Sequence, residues 1–201
     1  KYAEQSIQLH QTMTKDEIIE LQKHIGTEGD GFWGPKSIAA CKRHLLDLMP
    51  KNNPGPRSSK SALRAFYGDP NDNSVIVQID APAWLRLYDS GKKVRSISCH
   101  KLVADSLMRA LEDAHASHPH VASRYFGCHV DRPMRGGTKP STHAYGAAID
   151  LDASTNRNRQ SWPTSATMPI EVMEAFSREG WTPAGAAWHR DAMHFQATRW
   201  E

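Results

Sequence analysis

Long apolar runs are missing from this sequence. No segment of the 201 residues approaches the roughly 18 consecutive apolar residues that a membrane-spanning helix needs. The opening stretch, KYAEQSIQLHQTM, is polar and lacks the apolar central region of a secretory signal. We therefore expect a chain that is not stably inserted in a membrane and that shows no export signal.

A strong charge of either sign is also missing. The 25 lysines and arginines nearly balance the 22 aspartates and glutamates, which gives a formal net charge of +3. Proteins that bind nucleic acid usually carry a strongly basic patch or stripe. We therefore expect no nucleic-acid partner.

Cysteine is scarce as well. Cys41, Cys99 and Cys128 make an odd number without the C-x-x-C spacing of a zinc ribbon. Two of them precede His100 and His129, but neighbouring residues of a strand point to opposite faces, which disfavours a shared site. We predict three buried, unreactive thiols.

Apolar periodicity divides the chain into a short helical part and a longer mixed part. Residues 1–50 contain two amphipathic helical patterns, one beginning at a capping box, Thr14–Glu17, and one beginning at Pro35. Residues 51–61, KNNPGPRSSKS, lack apolar side chains and predict an exposed linker. Residues 62–201 mix helical patterns with short strand patterns. We expect a small all-α domain followed by an α+β domain in which helices flank a small antiparallel sheet.

One short stretch, STHAYGAAID at residues 141–150, holds a histidine and an aspartate seven positions apart. Asp150 lies in a strand pattern of Ala, Ile and Leu, where an unpaired buried carboxylate is costly. His143 precedes the strand, and Gly146 lets the backbone bend between them. Each residue alone is typical of a structural role, but together they predict two converging ligands of one metal ion.

A catalytic zinc usually takes three protein ligands and keeps one position for water, so the pair needs a third ligand. The stretch HRDAMHF at residues 189–195 supplies His194 on a strand pattern and Asp191 three positions earlier. The sequence therefore predicts His194 as the third ligand and Asp191 as a carboxylate that can act as a general base.

Both stretches match the motifs of a known family. An acid-x-x-His motif is matched by DAMH at residues 191–194. An S-x-H-x-x-G-x-A-x-D motif is matched by Ser141, His143, Gly146, Ala148 and Asp150. In these motifs the chain resembles the zinc D-alanyl-D-alanine carboxypeptidases and the phage L-alanyl-D-glutamate endopeptidases. The resemblance runs over most of residues 75–199 and includes CHKLVADSLMRALED and GCHVDRPMRG.

The resemblance implies a cofactor and a role for each motif residue. It makes His143, Asp150 and His194 the ligands of Zn²⁺. It makes Asp191 the general base that takes a proton from water and passes it to the leaving amine. An aspartate rather than a glutamate at this position favours the endopeptidases.

The family also has an arginine upstream of the first motif, where it helps to stabilise the charge that develops on the substrate carbonyl. Arg132 in DRPMRGG is the best match, and Arg135 is the second. Ser141 is expected to support the site through a hydrogen bond.

The helical part has a resemblance of its own, to the peptidoglycan-binding repeat L-Q-x…D-G-x-F/W-G-x-x-T/S. The matching residues are Leu21, Gln22, Asp30, Gly31, Trp33, Gly34, Pro35 and Ser37. The resemblance implies wall binding, with Asp30, Phe32 and Trp33 as candidate contacts. The alternative is a helical docking module in which Phe32 and Trp33 are simply buried.

Together these patterns predict a modular peptidoglycan hydrolase, in which a wall-binding domain raises the local concentration of a zinc metallopeptidase on its substrate. The expected partner is bacterial peptidoglycan, the expected bond is L-alanyl-D-glutamate in the stem peptide, and the expected state is a monomer. A phage endolysin fits this organisation. It would accumulate in the host cytoplasm and reach the wall after the membrane is breached.

Three alternatives remain open from the sequence. A D-alanyl-D-alanine carboxypeptidase would use the same site on the peptide terminus. A non-catalytic wall-binding protein would hold zinc only for structure. A Cys-His hydrolase would use Cys128 or Cys99 instead of a metal.

Overall fold

The computed structural model of the protein describes residues 12–130 and 136–200. The helices are α1 (Lys15–His24), α2 (Pro35–Leu48), α3 (Lys60–Tyr67), α4 (Ala104–Ser117), α5 (Pro119–Ala122), α6 (Ile170–Arg178) and α7 (Ala184–Ala187). The strands are β1 (Ile76–Asp80), β2 (Arg86–Leu87), β3 (Ser96–His100), β4 (Arg124–Gly127), β5 (Ala148–Leu151), β6 (Thr182–Pro183) and β7 (His194–Gln196). Within these ranges no helix is both long enough and apolar enough to cross a bilayer.

The larger of two sheets has five strands in the order β2-β4-β5-β7-β6. The pairs β4-β5, β5-β7 and β6-β7 are antiparallel, whereas β2 and β4 are parallel. A parallel pair needs a long crossover, and the chain between β2 and β4 supplies one through β3, α4 and α5. β1 and β3 form a separate antiparallel pair. The predicted mixture of helices and small sheets is therefore present, but the larger sheet is not purely antiparallel.

Strand β5 lies in the middle of the larger sheet and all four of its residues are buried. Ile149 and Leu151 belong to the same buried cluster as Leu107 of α4 and Phe176 of α6. The alternating pattern separates Asp150 from these apolar neighbours, as the sequence predicts. Exposure does not alternate along β5, because both faces of the strand are covered.

The ends of helices α1 and α2 follow the sequence signals. The Thr14 amide donates to the Glu17 carboxylate at 2.6 Å and the Glu17 amide donates to the Thr14 hydroxyl at 3.2 Å, which completes the predicted capping box. Pro35 is the first residue of α2. α2 packs against α6 and α7, and its Leu45 shares one buried cluster with Ile149 of β5.

The predicted linker, residues 51–61, is fastened to the larger part of the chain. The Asn53 side-chain amide donates to the Gly180 carbonyl at 3.0 Å. The Arg199 amide donates to the Pro56 carbonyl at 2.8 Å. The boundary between two domains stays a prediction, since one continuous buried core joins both parts.

Candidate metal centre

Three predicted ligands converge in the folded chain. His143 Nε2 lies 3.1 Å from Asp150 Oδ1 and 3.1 Å from His194 Nδ1, and His194 Nδ1 lies 3.0 Å from Asp150 Oδ1. The three side chains are nearly inaccessible to solvent. Two nitrogens and an oxygen therefore form an almost equilateral triangle, which could hold a metal ion.

His143 reaches the triangle from a short 3₁₀ turn, Thr142–Tyr145. The Ser141 hydroxyl caps this turn by accepting from the His143 amide at 3.3 Å. Gly146 ends the turn at φ 68°, and a Cβ there would lie 2.7 Å from the His100 backbone nitrogen. The motif glycine is therefore required both for its left-handed backbone and for its close approach to β3.

Asp150 and His194 meet because of strand register. They are directly opposite each other in the β5-β7 ladder, where side chains on one face lie side by side. A shift by one residue would turn Asp150 to the other face of the sheet, so the register of this pair is essential to the site.

The remaining imidazole nitrogens have partners that fix the tautomers. His143 Nδ1 lies 2.7 Å from the Cys128 carbonyl, which can only accept, so Nδ1 carries the proton and Nε2 is left with a lone pair. His194 Nε2 lies 3.0 Å from Gln196 Oε1, so Nδ1 of His194 is the nitrogen left for a ligand. Such outer partners are typical of histidines that bind metals.

The electrostatics of the triangle favour a cation. Burial alone would raise the pKa of Asp150, but His143 and His194 hold that pKa well below its usual range, so the carboxylate is ionised. Burial would lower the pKa of His194, but Asp150 more than offsets it and the pKa is raised. The buried carboxylate therefore attracts positive charge to the point where the three side chains meet.

The geometry fits zinc. Ligand atoms at 2.0–2.1 Å from a tetrahedral zinc are about 3.3 Å apart, close to the 3.0–3.1 Å sides of the triangle. Two imidazoles and one carboxylate are also the ligand types of known catalytic zinc sites. All three side chains are among the lining residues of a cleft.

The cleft has a volume of about 390 Å³ and is lined by residues of both motifs. Asp191 lies on its wall, in a left-handed conformation with φ 59°, and its carbonyl accepts from the His194 amide at 2.9 Å. The Trp188 ring stacks on the His194 ring at 5.3 Å and is 40% exposed. Lys139 and Arg190 line the same cleft and are the cationic residues of its described lining. The structure therefore brings Asp191 and the three ligands to one site.

Two of the predicted residues cannot be placed. Arg132 and Arg135 lie outside the described residues. Sequence reasoning also missed Gln196 and Cys128 as partners of the histidines. Gln196 had a signal, since it lies two positions after His194 on a strand, whereas a backbone carbonyl such as that of Cys128 leaves no signal in a sequence.

The candidate wall-binding residues lie in the loop between α1 and α2. The Gln22 side-chain amide donates to Asp30 Oδ1 at 2.8 Å and to the Phe32 carbonyl at 2.9 Å, and its oxygen accepts from the Gly31 amide at 2.8 Å. Gln22 and Asp30 therefore hold the loop together. Trp33 packs edge-on against Trp162 at 5.5 Å.

Phe32 in the same loop is 71% exposed. The alternative in which both Phe32 and Trp33 are buried is therefore wrong for Phe32.

Comparison with known proteins adds one finding. No curated protein and no solved structure matches the chain. Residues 135–197 match a family model described as D-alanyl-D-alanine carboxypeptidase. The segment that forms the triangle and carries Asp191 is thus similar to a carboxypeptidase family.

Proposed function

We propose that the protein is a zinc metallopeptidase that hydrolyses the stem peptide of bacterial peptidoglycan at the L-alanyl-D-glutamate bond. The observation that carries the proposal is the triangle of His143, Asp150 and His194, buried at the base of a cleft, with Asp191 on the cleft wall. The family match over residues 135–197 supports a peptidase at this site.

Bound zinc supplies a Lewis acid and lowers the pKa of a coordinated water toward 7. His143 and His194 hold their ligand nitrogens in place through the Cys128 carbonyl and Gln196. The Asp191 carboxylate accepts the proton of the attacking water and returns it to the leaving amine. Trp188 covers one face of His194 and keeps water away from that ring.

An aspartate in the acid-x-x-His motif supports an endopeptidase. The principal alternative is a D-alanyl-D-alanine carboxypeptidase. Two observations favour it: the description of the matching family, and the cations Lys139 and Arg190 in the cleft lining, which could pair with a terminal carboxylate.

The proposal extends to the biological setting. An exposed Phe32 in a loop that is held by hydrogen bonds of Gln22 supports contact with sugar or peptide of the wall. We propose that the protein is a phage endolysin that accumulates in the host cytoplasm as a monomer and acts on the wall after the membrane is opened. Under this proposal the alternative of a non-catalytic wall-binding protein with structural zinc is rejected.

Muropeptide analysis tests the proposal. Purified sacculi are digested with wild type, with chelator-stripped protein and with the Asp191→Asn variant, and the products are analysed by mass spectrometry. The endopeptidase predicts peptides with a free D-glutamate amine, whereas the carboxypeptidase predicts loss of one D-alanine. Unchanged sacculi in the presence of fully zinc-loaded wild type would rule out both and leave the structural-zinc alternative.

A further inference from the structure

A second group of potential ligands lies far from the first in sequence, where α1, α2 and α6 meet. His24 is the last residue of α1, His44 lies on α2, and Glu174 lies on α6. His24 Nε2 is 2.5 Å and His44 Nε2 is 2.7 Å from the same atom, Glu174 Oε1. One carboxylate oxygen therefore faces two imidazole nitrogens from two other helices.

The Glu174 side chain is only 7% exposed, so its charge requires compensation. Arg178 lies 3.6 Å from the other oxygen, Oε2, and shares its guanidinium with Asp113 at 2.8 Å. Arg178 therefore contributes positive charge near Oε2, and Oε1 faces the histidines. The hydrogen bonds with His24 and His44 offset burial and lower the pKa of Glu174, which keeps it ionised.

We propose that His24, His44 and Glu174 form a second zinc site, which joins helices α1 and α2 to α6. Two imidazoles and one carboxylate are ligand types that zinc prefers, and the three ligand atoms lie within 4.8 Å of one another. This site is independent of the proposed peptidase activity.

The packing favours a cation over hydrogen bonds alone. The two nitrogen-oxygen distances lie at or below the lower end of the usual N–H···O range of about 2.7–3.2 Å. Ligand atoms around a tetrahedral zinc are about 3.3 Å apart, so each histidine nitrogen needs to move less than about 1 Å away from Glu174 Oε1. His24 and His44 are 41% and 25% exposed, so their rings can move by that amount and water can complete the coordination. The carbonyl end of α1, where His24 lies, also favours positive charge.

Zinc stoichiometry tests the proposal on the full chain. Chelator-stripped wild type is dialysed against excess Zn²⁺ and then against metal-free buffer. The molar ratio of bound zinc to protein is measured by inductively coupled plasma mass spectrometry. We expect two ions per chain for wild type and one for the His24→Gln/His44→Gln variant. The His194→Gln variant should bind one ion, and adding His44→Gln to it should abolish binding.

The matched control is His118→Gln. His118 faces Glu171 of the same helix α6 at 3.8 Å and is similarly exposed, but no second histidine shares that carboxylate in the described part of the chain. This variant should keep two ions. A wild type that binds a single ion which the His24→Gln/His44→Gln variant also binds, or a variant that keeps two ions, would show that the cluster is held by hydrogen bonds alone.

A second measurement uses wild type alone, so its result does not depend on whether the variants fold. Diethyl pyrocarbonate modifies accessible imidazoles, and peptide mass spectrometry reports each histidine separately. Zinc should protect His24 and His44 and leave His118 reactive. The proposal would be overturned if zinc did not change the extent to which His24 and His44 are modified. That result would not affect the peptidase, whose ligands are elsewhere.

Discussion

His194 and Gln196 are two residues apart on β7, and the imidazole Nε2–H of the first donates to the side-chain oxygen of the second at 3.0 Å. Gln196 is itself held at both ends. Its oxygen accepts from the Thr142 hydroxyl at 3.1 Å, and its amide donates to the Thr198 hydroxyl at 2.8 Å. This chain of contacts orients the ring of a candidate metal ligand, His194, through a residue outside the triangle of His143, Asp150 and His194.

The first prediction concerns this contact. Gln196→Leu should weaken zinc binding by about 10–100-fold, because the acceptor that fixes the tautomer and ring angle of His194 is lost. Competition with a chromophoric chelator measures the change. Gln196→Glu keeps an acceptor and should retain most of the affinity. Gln78→Leu, at an exposed position of β1, should have no effect.

The second prediction separates metal binding from proton transfer. Asp191→Asn should keep a full complement of zinc but lower the turnover number by about 10²–10⁴-fold, the usual contribution of a general base. Asparagine is chosen because it tolerates the left-handed backbone of Asp191, whereas alanine would add strain. Turnover on sacculi and metal content are measured on the same sample. Near-normal turnover would show that Asp191 is not the base.

The third prediction concerns the motif glycine. Gly146→Ala should lower the free energy of unfolding by roughly 2–5 kcal/mol, because left-handed strain adds to contact with the backbone of β3. Gly91→Ala is the matched control, since Gly91 also has a positive φ but open space around it. It should cost only about 1–2 kcal/mol. Urea unfolding curves compare the two, and equal losses would mean that crowding at Gly146 has no effect.

The fourth prediction tests the Cys-His hydrolase alternative. Burial raises the pKa of Cys41 to about 12 and that of Cys99 to about 11, and it raises the pKa of Cys128 well above its usual value. Thiolate is the reactive form, so iodoacetamide at pH 8 should modify the folded protein at least about 100-fold more slowly than a free cysteine.

Activity should survive this alkylation and should be lost to a chelator. Unfolding in urea should make all three thiols reactive, because the structure shows each of them free and buried. Inactivation in step with the modification of one thiol would instead support a cysteine nucleophile.

Local signals in the sequence predicted local structure well. The capping box at Thr14, the start of α2 at Pro35 and the turn before β5 all depend on contacts within a few residues. The convergence of His143, Asp150 and His194 could be expected from the sequence because both motifs are short and contain the side chains themselves.

Features that depend on distant contacts were not predictable. The register that places Asp150 opposite His194 is decided by the whole sheet, and the parallel pairing of β2 depends on a crossover through two helices. The Cys128 carbonyl is a backbone group that any residue would supply. Polar composition predicted an exposed linker at 51–61 but could not show the hydrogen bonds that fasten it.

The hydrogen bonds that join Asn53 to Gly180 and Pro56 to Arg199 attach residues 51–61 to the larger part of the chain, so this segment differs from a flexible tether. A flexible tether lets an anchored enzyme search a sphere around its attachment point. Here the loop that carries Phe32 also contacts the larger part of the chain, because Trp33 packs against Trp162 at 5.5 Å. Under the proposed function, an enzyme attached to the wall through this loop would cut at a fixed distance from the point of attachment.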